Sequence, residues 1–161
     1  MKWTGMFELK CYNAGVLKWV DTVFNALTDE GEQNILDVYL RGAAGPSNFY
    51  IGLTGMAAIG ETTTLATLTN EPSGNGYARQ IITRTNGAGG WPTLGLDTGD
   101  YMATSAIVSF QATGNWTMAD KTFMASTSDN TGKLLSFANL SVPRTLVLND
   151  ILDVTYKVKL S

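Results

Sequence analysis

The run "DILDVTYKVKL", residues 150–160, decides the fold class. Leu152, Val154, Tyr156, Val158 and Leu160 alternate with Asp153, Thr155, Lys157 and Lys159, a period of two that belongs to a half-buried β-strand. Such a strand needs partners, and the sequence upstream supplies candidates. The runs "SAIVSFQAT" (105–113), "KTFMAST" (121–127) and "KLLSFANL" (133–140) are separated by the turn signals "TGNW", "SDNTG" and "LND". Regularly spaced strands and turns predict a mainly β chain, an antiparallel β-sandwich or jelly-roll-like domain, rather than βαβ units.

The N-terminal part reads the same way. In "WTGMFELKCY" (3–12) Phe7, Leu9 and Cys11 share a face. In "VLKWVDTVF" (16–24) Leu17, Trp19 and Val23 are expected on one face, and Val16, Val20 and Phe24 on the other. The intervening "NAG" predicts a hairpin over 3–24. "NFYIGL" (48–53) reads as a buried strand and "YARQIITRT" (77–85) as another. Residues 54–76 are rich in Gly, Thr, Asn and Pro, a long irregular segment expected at the surface, and "NGAGGWP" (86–92) reads as a flexible turn carrying Trp91. With 161 residues and no linker or repeat, one domain over 1–161 is expected, with strands filling 48–160 after a single helix.

That helix lies in "NALTDEGEQNILDVYLRG" (25–42), with predicted bounds 29–41. Ile35, Leu36, Tyr39 and Leu40 form an apolar stripe with Val38 at its border, while Glu30, Gln33, Asn34 and Asp37 line the other side, so the helix is expected to lie on a sheet. Asp29, Glu30 and Glu32 open it, where the helix dipole favours acids. Glu32 falls inside the stripe, a position explained by a capping box closed on Asp29. Gly31 permits close approach to the sheet, and Gly42 supplies the positive φ that ends the helix.

Composition excludes several chemistries. The chain has no histidine, which removes Ser/His/Asp and Cys/His nucleophile systems and HExxH zinc sites. Its single cysteine, Cys11, allows no internal disulfide and reads as a buried strand thiol. A net charge of −3 with no Lys/Arg cluster argues against nucleic acid, and no apolar run is long enough for a membrane span or leader, so the chain is expected to be made in the cytoplasm and not secreted. Paired carboxylates among Asp29, Glu30, Glu32, Asp97, Asp100, Asp120, Asp150 and Asp153 could in principle serve a glycosidase, and "DTGD" (97–100) or "SDN" (128–130) a calcium ion, yet each acid sits where a cap, turn or wet strand face explains it. No enzyme, cofactor or metal site is expected. Among the aromatics, Trp91 between glycines and Pro92 is the best candidate for an exposed, sugar-stacking ring.

The order of features adds a resemblance. Asn25, Leu27, Thr28, Glu30 and Gly31 lead into the helix ending near Gly42, followed by Tyr50, Ile51, Gly52 and Leu53, then by Gly76, Tyr77, Ala78 and Arg79, with "VPRTLVLNDILDVTYKVKL" (142–160) closing the chain. This resembles small structural proteins of tailed-bacteriophage virions. The resemblance implies a virion component such as a head decoration (cement) protein or a small tail or neck protein, with no catalytic residues. Its expected partners are the major capsid protein and further copies of itself, in a symmetric oligomer such as a trimer. Contact residues are then expected in the 54–76 loop and among Met1, Lys2, Trp3, Tyr77, Arg79, Trp91 and Pro92.

Overall fold

A computed structural model describes residues 3–160. Among these residues, eleven strands form two antiparallel sheets with one α-helix, the expected β-sandwich. The strands are β1 (Trp3–Asn13), β2 (Val16–Phe24), β3 (Ala26–Leu27), β4 (Asn48–Thr54), β5 (Gln80–Thr83), β6 (Thr93–Asp97), β7 (Asp100–Thr104), β8 (Val108–Gln111), β9 (Ala119–Ala125), β10 (Leu134–Arg144) and β11 (Asp150–Leu160). The helix, α1, spans Asp29–Leu40. The first sheet runs β2-β1-β11-β7-β6, with β8 also paired to β11; the second runs β3-β10-β9-β4-β5.

The alternating strand β11 is central. It pairs with β1 along its whole length, while β8 and then β7 share its other edge. Phe7 and Leu9 from β1, Phe110 from β8 and Leu152, Val154 and Tyr156 from β11 point inward against Ile51 and Leu53 from β4 and Met124 from β9. Cys11 is also buried there, and burial first, then the nearby Asp150 charge, push its thiol up to about 11.

The N-terminal hairpin departs from its predicted faces for a local reason. Its turn, Ala14 (φ 48°) and Gly15 (φ 78°), has the two positive φ values of a tight hairpin loop. Between Cys11 and Tyr12 the register then slips: Tyr12 opposes Leu17 but Cys11 opposes Trp19, leaving Lys18 as the extra residue of a bulge. The bulge breaks the alternation, so Leu17 is exposed while Asp21 and Val23 are buried. It also aims the Lys18 ammonium at Asp150, 2.7 Å away.

A second correction concerns residues 54–76. Sheet two has an apolar outer face, with Phe123, Ala125 and Phe137, and this segment covers it. A short 3-10 helix, Leu65–Thr67, buries Leu65 completely and Leu68 nearly so. Burying two leucines contributes roughly 3–6 kcal/mol before chain ordering is counted. The segment is therefore a fastened cover for the sheet, not a free arm. Gly52 belongs to the same layer, because any Cβ there would strike the Phe123 ring.

The hairpin of β6 and β7, "TLGLDTGDYMAT" (93–104), has no counterpart among the predicted strands. Its turn residues Thr98 (φ 53°) and Gly99 (φ 96°) repeat the two-positive-φ pattern of the first hairpin. The predicted strand 77–85 shortens to Gln80–Thr83 because Tyr77 and Arg79 are drawn into side-chain networks.

Candidate functional site

The site begins at the start of α1. Thr28, not Asp29, is the N-cap: its side chain accepts from the Gly31 N–H at 3.1 Å and donates to the Leu134 carbonyl. Glu30, not Glu32, reaches backbone donors: its Oε2 accepts from the Leu65 N–H (2.9 Å) and the Leu134 N–H (2.7 Å). Those bonds fasten the helix, the covering segment and β10 together. Gly31 lies against the Leu135 carbonyl, with no space for a side chain. Glu32 is left exposed.

Docked so tightly at its first turn, α1 does not bury its apolar stripe. Gly31 is its only buried residue; Ile35 and Val38 are half-buried, and Leu36, Tyr39 and Leu40 are 53%, 85% and 69% exposed. The prediction of a helix lying flat on a sheet is thus corrected. The helix stands off the end of sheet one and leaves an open apolar groove of about 570 Å³. Ile35, Val38 and Tyr39 form its helical wall. Trp3, Val158, Leu160 and Ala103 form the sheet wall, and Phe49 and Trp91 line it as well.

The predicted contact residues divide among three places. Met1 and Lys2 lie outside the described residues. Trp3 and Trp91 line the groove, and Pro92 is exposed next to Trp91. Trp91 is not a free platform for sugar, however: its ring meets Phe49 edge-on at 5.8 Å and Tyr156 at 6.0 Å. Tyr77 and Arg79 do not line the groove and turn inward. The Tyr77 hydroxyl accepts from the Leu53 N–H (2.9 Å) and donates to Glu71 (2.8 Å), and burial with the adjacent Glu71 charge raises its pKa well above the usual phenol value. The Arg79 side chain, 4% exposed, pairs with Glu71, donates to the Thr127 carbonyl (3.2 Å) and packs over Phe123 (5.1 Å). These two residues hold the 65–76 cover and the 126–131 loop in place.

The acids considered for chemistry are engaged elsewhere. Asp97 and Asp100 share Lys159 (3.2 and 3.6 Å), Asp120 pairs with Lys121 (2.9 Å), and Asp153 accepts from Ser109 (2.5 Å). Asp150, fully buried, accepts from Lys18, Asn13 and the Val147 amide. Burial alone would raise its pKa, but the hydrogen bonds and the Lys18 charge outweigh it and hold the carboxyl below the usual range. Among the described residues, no group of three or more His, Cys, Asp or Glu gathers as a metal site, and no helix is long and apolar enough to cross a membrane. A second, polar depression of about 680 Å³ adjoins the groove through Asn34 and Pro46, lined by hydroxyls of Ser47, Ser126 and Thr127 with Tyr50 and Asp129.

Fold and surface together define a two-sheet antiparallel β-sandwich, tightly fastened within and carrying one open apolar groove. Comparison with protein families narrows this. The chain belongs to the family described as podophage GP4 fiber I protein gp80, whose model matches residues 26–158, from the third strand into the last. It is a phage virion structural protein. Comparison with curated proteins gives no match.

Proposed function

We propose that the chain is a non-enzymatic building block of a podophage virion fibre, acting through the surfaces it presents to neighbouring virion proteins. The family description supports the fibre location. The observation that carries the assembly role is the exposed apolar stripe of α1 beside the open groove, surface that a free-standing protein normally buries. Glu30, Glu71, Arg79 and Asp150, by contrast, are engaged by partners within the chain.

Capsid decoration is the second reading, in which the chain would bind the major capsid protein. A second apolar surface favours it: Val16, Val20 and Phe24 of β2 are all more than half exposed and give the sandwich a further face for seating on a lattice. Antibody labelling of purified virions, with copy number from quantitative gels, separates the two. A fibre component labels appendages at a few copies per virion. Dense labelling of the head, with binding to emptied capsids, would overturn the fibre reading in favour of decoration.

A further inference from the structure

The two sheets run between four end strands, and three of these are blunted. β2 carries the Lys18 bulge, and its Asp21 carboxylate accepts from the Ser141 N–H of β10 at 2.8 Å. β3 is two residues long and leads through Thr28 into α1. β5 has the following loop folded back on it, with the Thr83 N–H donating to the Gly89 carbonyl at 2.8 Å. Bulges, short strands and covering loops are how sheet edges are protected, since unpaired N–H and C=O groups otherwise template a further strand. β6 has none of these devices. It pairs with β7, carries no charged side chain before Asp97, and among the described residues no other backbone hydrogen bond reaches it.

The hairpin turn fixes which groups of β6 face outward. Thr98 and Gly99 form a two-residue loop of positive φ, so Asp97 and Asp100 close it as a hydrogen-bonded pair. Along an antiparallel ladder such pairs alternate with non-hydrogen-bonded ones. Thr93 and Gly95 therefore bond to β7, while the N–H and C=O groups of Leu94 and Leu96 point to the free edge. The side chains of those two leucines are 71% and 68% exposed.

This edge is complementary to itself. Two copies related by a two-fold axis use every outward group in one register, with Gly95 opposite Gly95 and Leu94 of each copy opposite Leu96 of the other. An axis centred on Leu94 would set Leu96 against Pro92, which has no N–H, and one centred on Leu96 would set Leu94 against Thr98 in the turn. In the remaining register the two glycines form a non-hydrogen-bonded pair, where Cα atoms approach to about 4.5 Å. Nothing within the chain calls for a glycine there: Gly95 has no positive φ, and a Cβ added to it would meet nothing within 4 Å. A glycine inside a strand weakens it and commonly marks the close approach of another backbone. The leucines of the two copies meet on the face shared with Ala103 and Tyr101, and Asp97, held by Lys159 at 3.2 Å, falls beside Thr93 rather than another acid.

We infer that β6 pairs antiparallel with β6 of a second copy, centred on Gly95, joining the first sheets of two molecules into one continuous sheet. The contact is isologous and closes at two copies. It does not depend on whether the chain sits in a fibre or on a head, so its failure would leave the proposed function standing.

The test is light scattering after size-exclusion chromatography, with sedimentation equilibrium over a concentration series. Wild type is expected at twice 17.3 kDa. Leu94→Pro removes an outward N–H without touching a bond to β7, and weakens dimerisation by at least about tenfold while circular dichroism stays unchanged. Leu96→Lys places a charge on the edge and acts in the same direction. Introduced thiols read the register, with Cys11 buried and wild type as the control. Under oxidised glutathione, Gly95→Cys forms a disulfide-linked dimer, because the Cα separation of that pair lies within the range of about 4.4–6.8 Å that a disulfide spans. Thr93→Cys, four positions out of register with its own copy and roughly 13 Å from it, stays unlinked. A monomeric or trimeric wild type, edge variants that dimerise as well as wild type, or a cross-link at 93 as efficient as at 95 would each overturn the proposal. A monomer that loses virion binding on Leu94→Pro would give the edge to a strand of another virion protein and overturn it as well.

Discussion

Asp150→Asn tests how the two ends of the chain are fastened. In the wild type, Oδ1 accepts from Asn13 Nδ2 (2.8 Å) and Lys18 Nζ (2.8 Å), and Oδ2 accepts from Lys18 Nζ (2.7 Å) and the Val147 N–H (3.0 Å). All the partners are donors, so an amide keeps the shape but turns an NH2 group toward at least one of them and removes the charge. Hydrogen bonds to a charged group contribute about 1.5–3 kcal/mol each, and a misdirected buried donor adds a further cost. Lys18 is 35% exposed and recovers hydration when released, so its share is discounted. The net loss is about 2–4 kcal/mol at neutral pH, a fall in Tm of roughly 5–12 °C for a chain of this size.

The pH dependence follows from the lowered carboxyl pKa. Unfolded Asp titrates near 3.9, whereas in the fold the proton binds only at lower pH, so this stabilisation is complete above about pH 5 and is lost as pH falls through the folded value. Urea unfolding of both proteins between pH 7 and pH 2 should show the gap narrowing on the acid side. A gap below about 0.5 kcal/mol at pH 7, or one that does not narrow in acid, would refute the assignment of Asp150 as a charged anchor.

Gly31→Ala should destabilise by about 2–4 kcal/mol, because its methyl meets the Leu135 backbone carbonyl, whereas Gly42→Ala, in open space at φ +72°, costs only about 1 kcal/mol of backbone strain. Calorimetry of the pair ranks the two effects. Arg79→Met should free Glu71 and loosen the 55–76 cover, read as new proteolytic cleavage there while far-ultraviolet circular dichroism is retained. The Tyr156 phenol, fully buried and hydrogen-bonded by Asn25 at 2.6 Å, is pushed up to about 12. Spectrophotometric titration should therefore show two late phenols, Tyr77 and Tyr156, of which Tyr156→Phe removes one; stability falls as pH rises above about 10, because the unfolded chain loses the Tyr156 proton first.

Much of the sandwich was legible because strand periodicity is local. The alternation in 150–160 places Leu152, Val154, Tyr156 and Val158 inward as read. The helix bounds differ by one residue, since capping and Gly42 are local signals too. The β6–β7 hairpin is poorly legible although "DTGD" carries a turn signature, because its strands are only five residues long. The capping residue was misplaced by one because several residues in a row can cap, and Thr28 prevails through its second bond, to Leu134, 106 positions away.

By itself, then, the amino-acid sequence determined a mainly antiparallel β domain with one helix, its hairpin turn, its buried cysteine and its lack of histidine chemistry. Only the tertiary structure decided which side chains meet water. The 54–76 segment is buried because the outer face of sheet two needs a cover, and Arg79 is internal because Glu71, Thr127 and Phe123 converge on it. The apolar stripe of α1 stays open because Gly31 and Glu30 dock the helix by its first turn and hold the rest away from sheet one. Periodicity records that a residue prefers burial, but the buried contact itself depends on chain that lies far away in sequence.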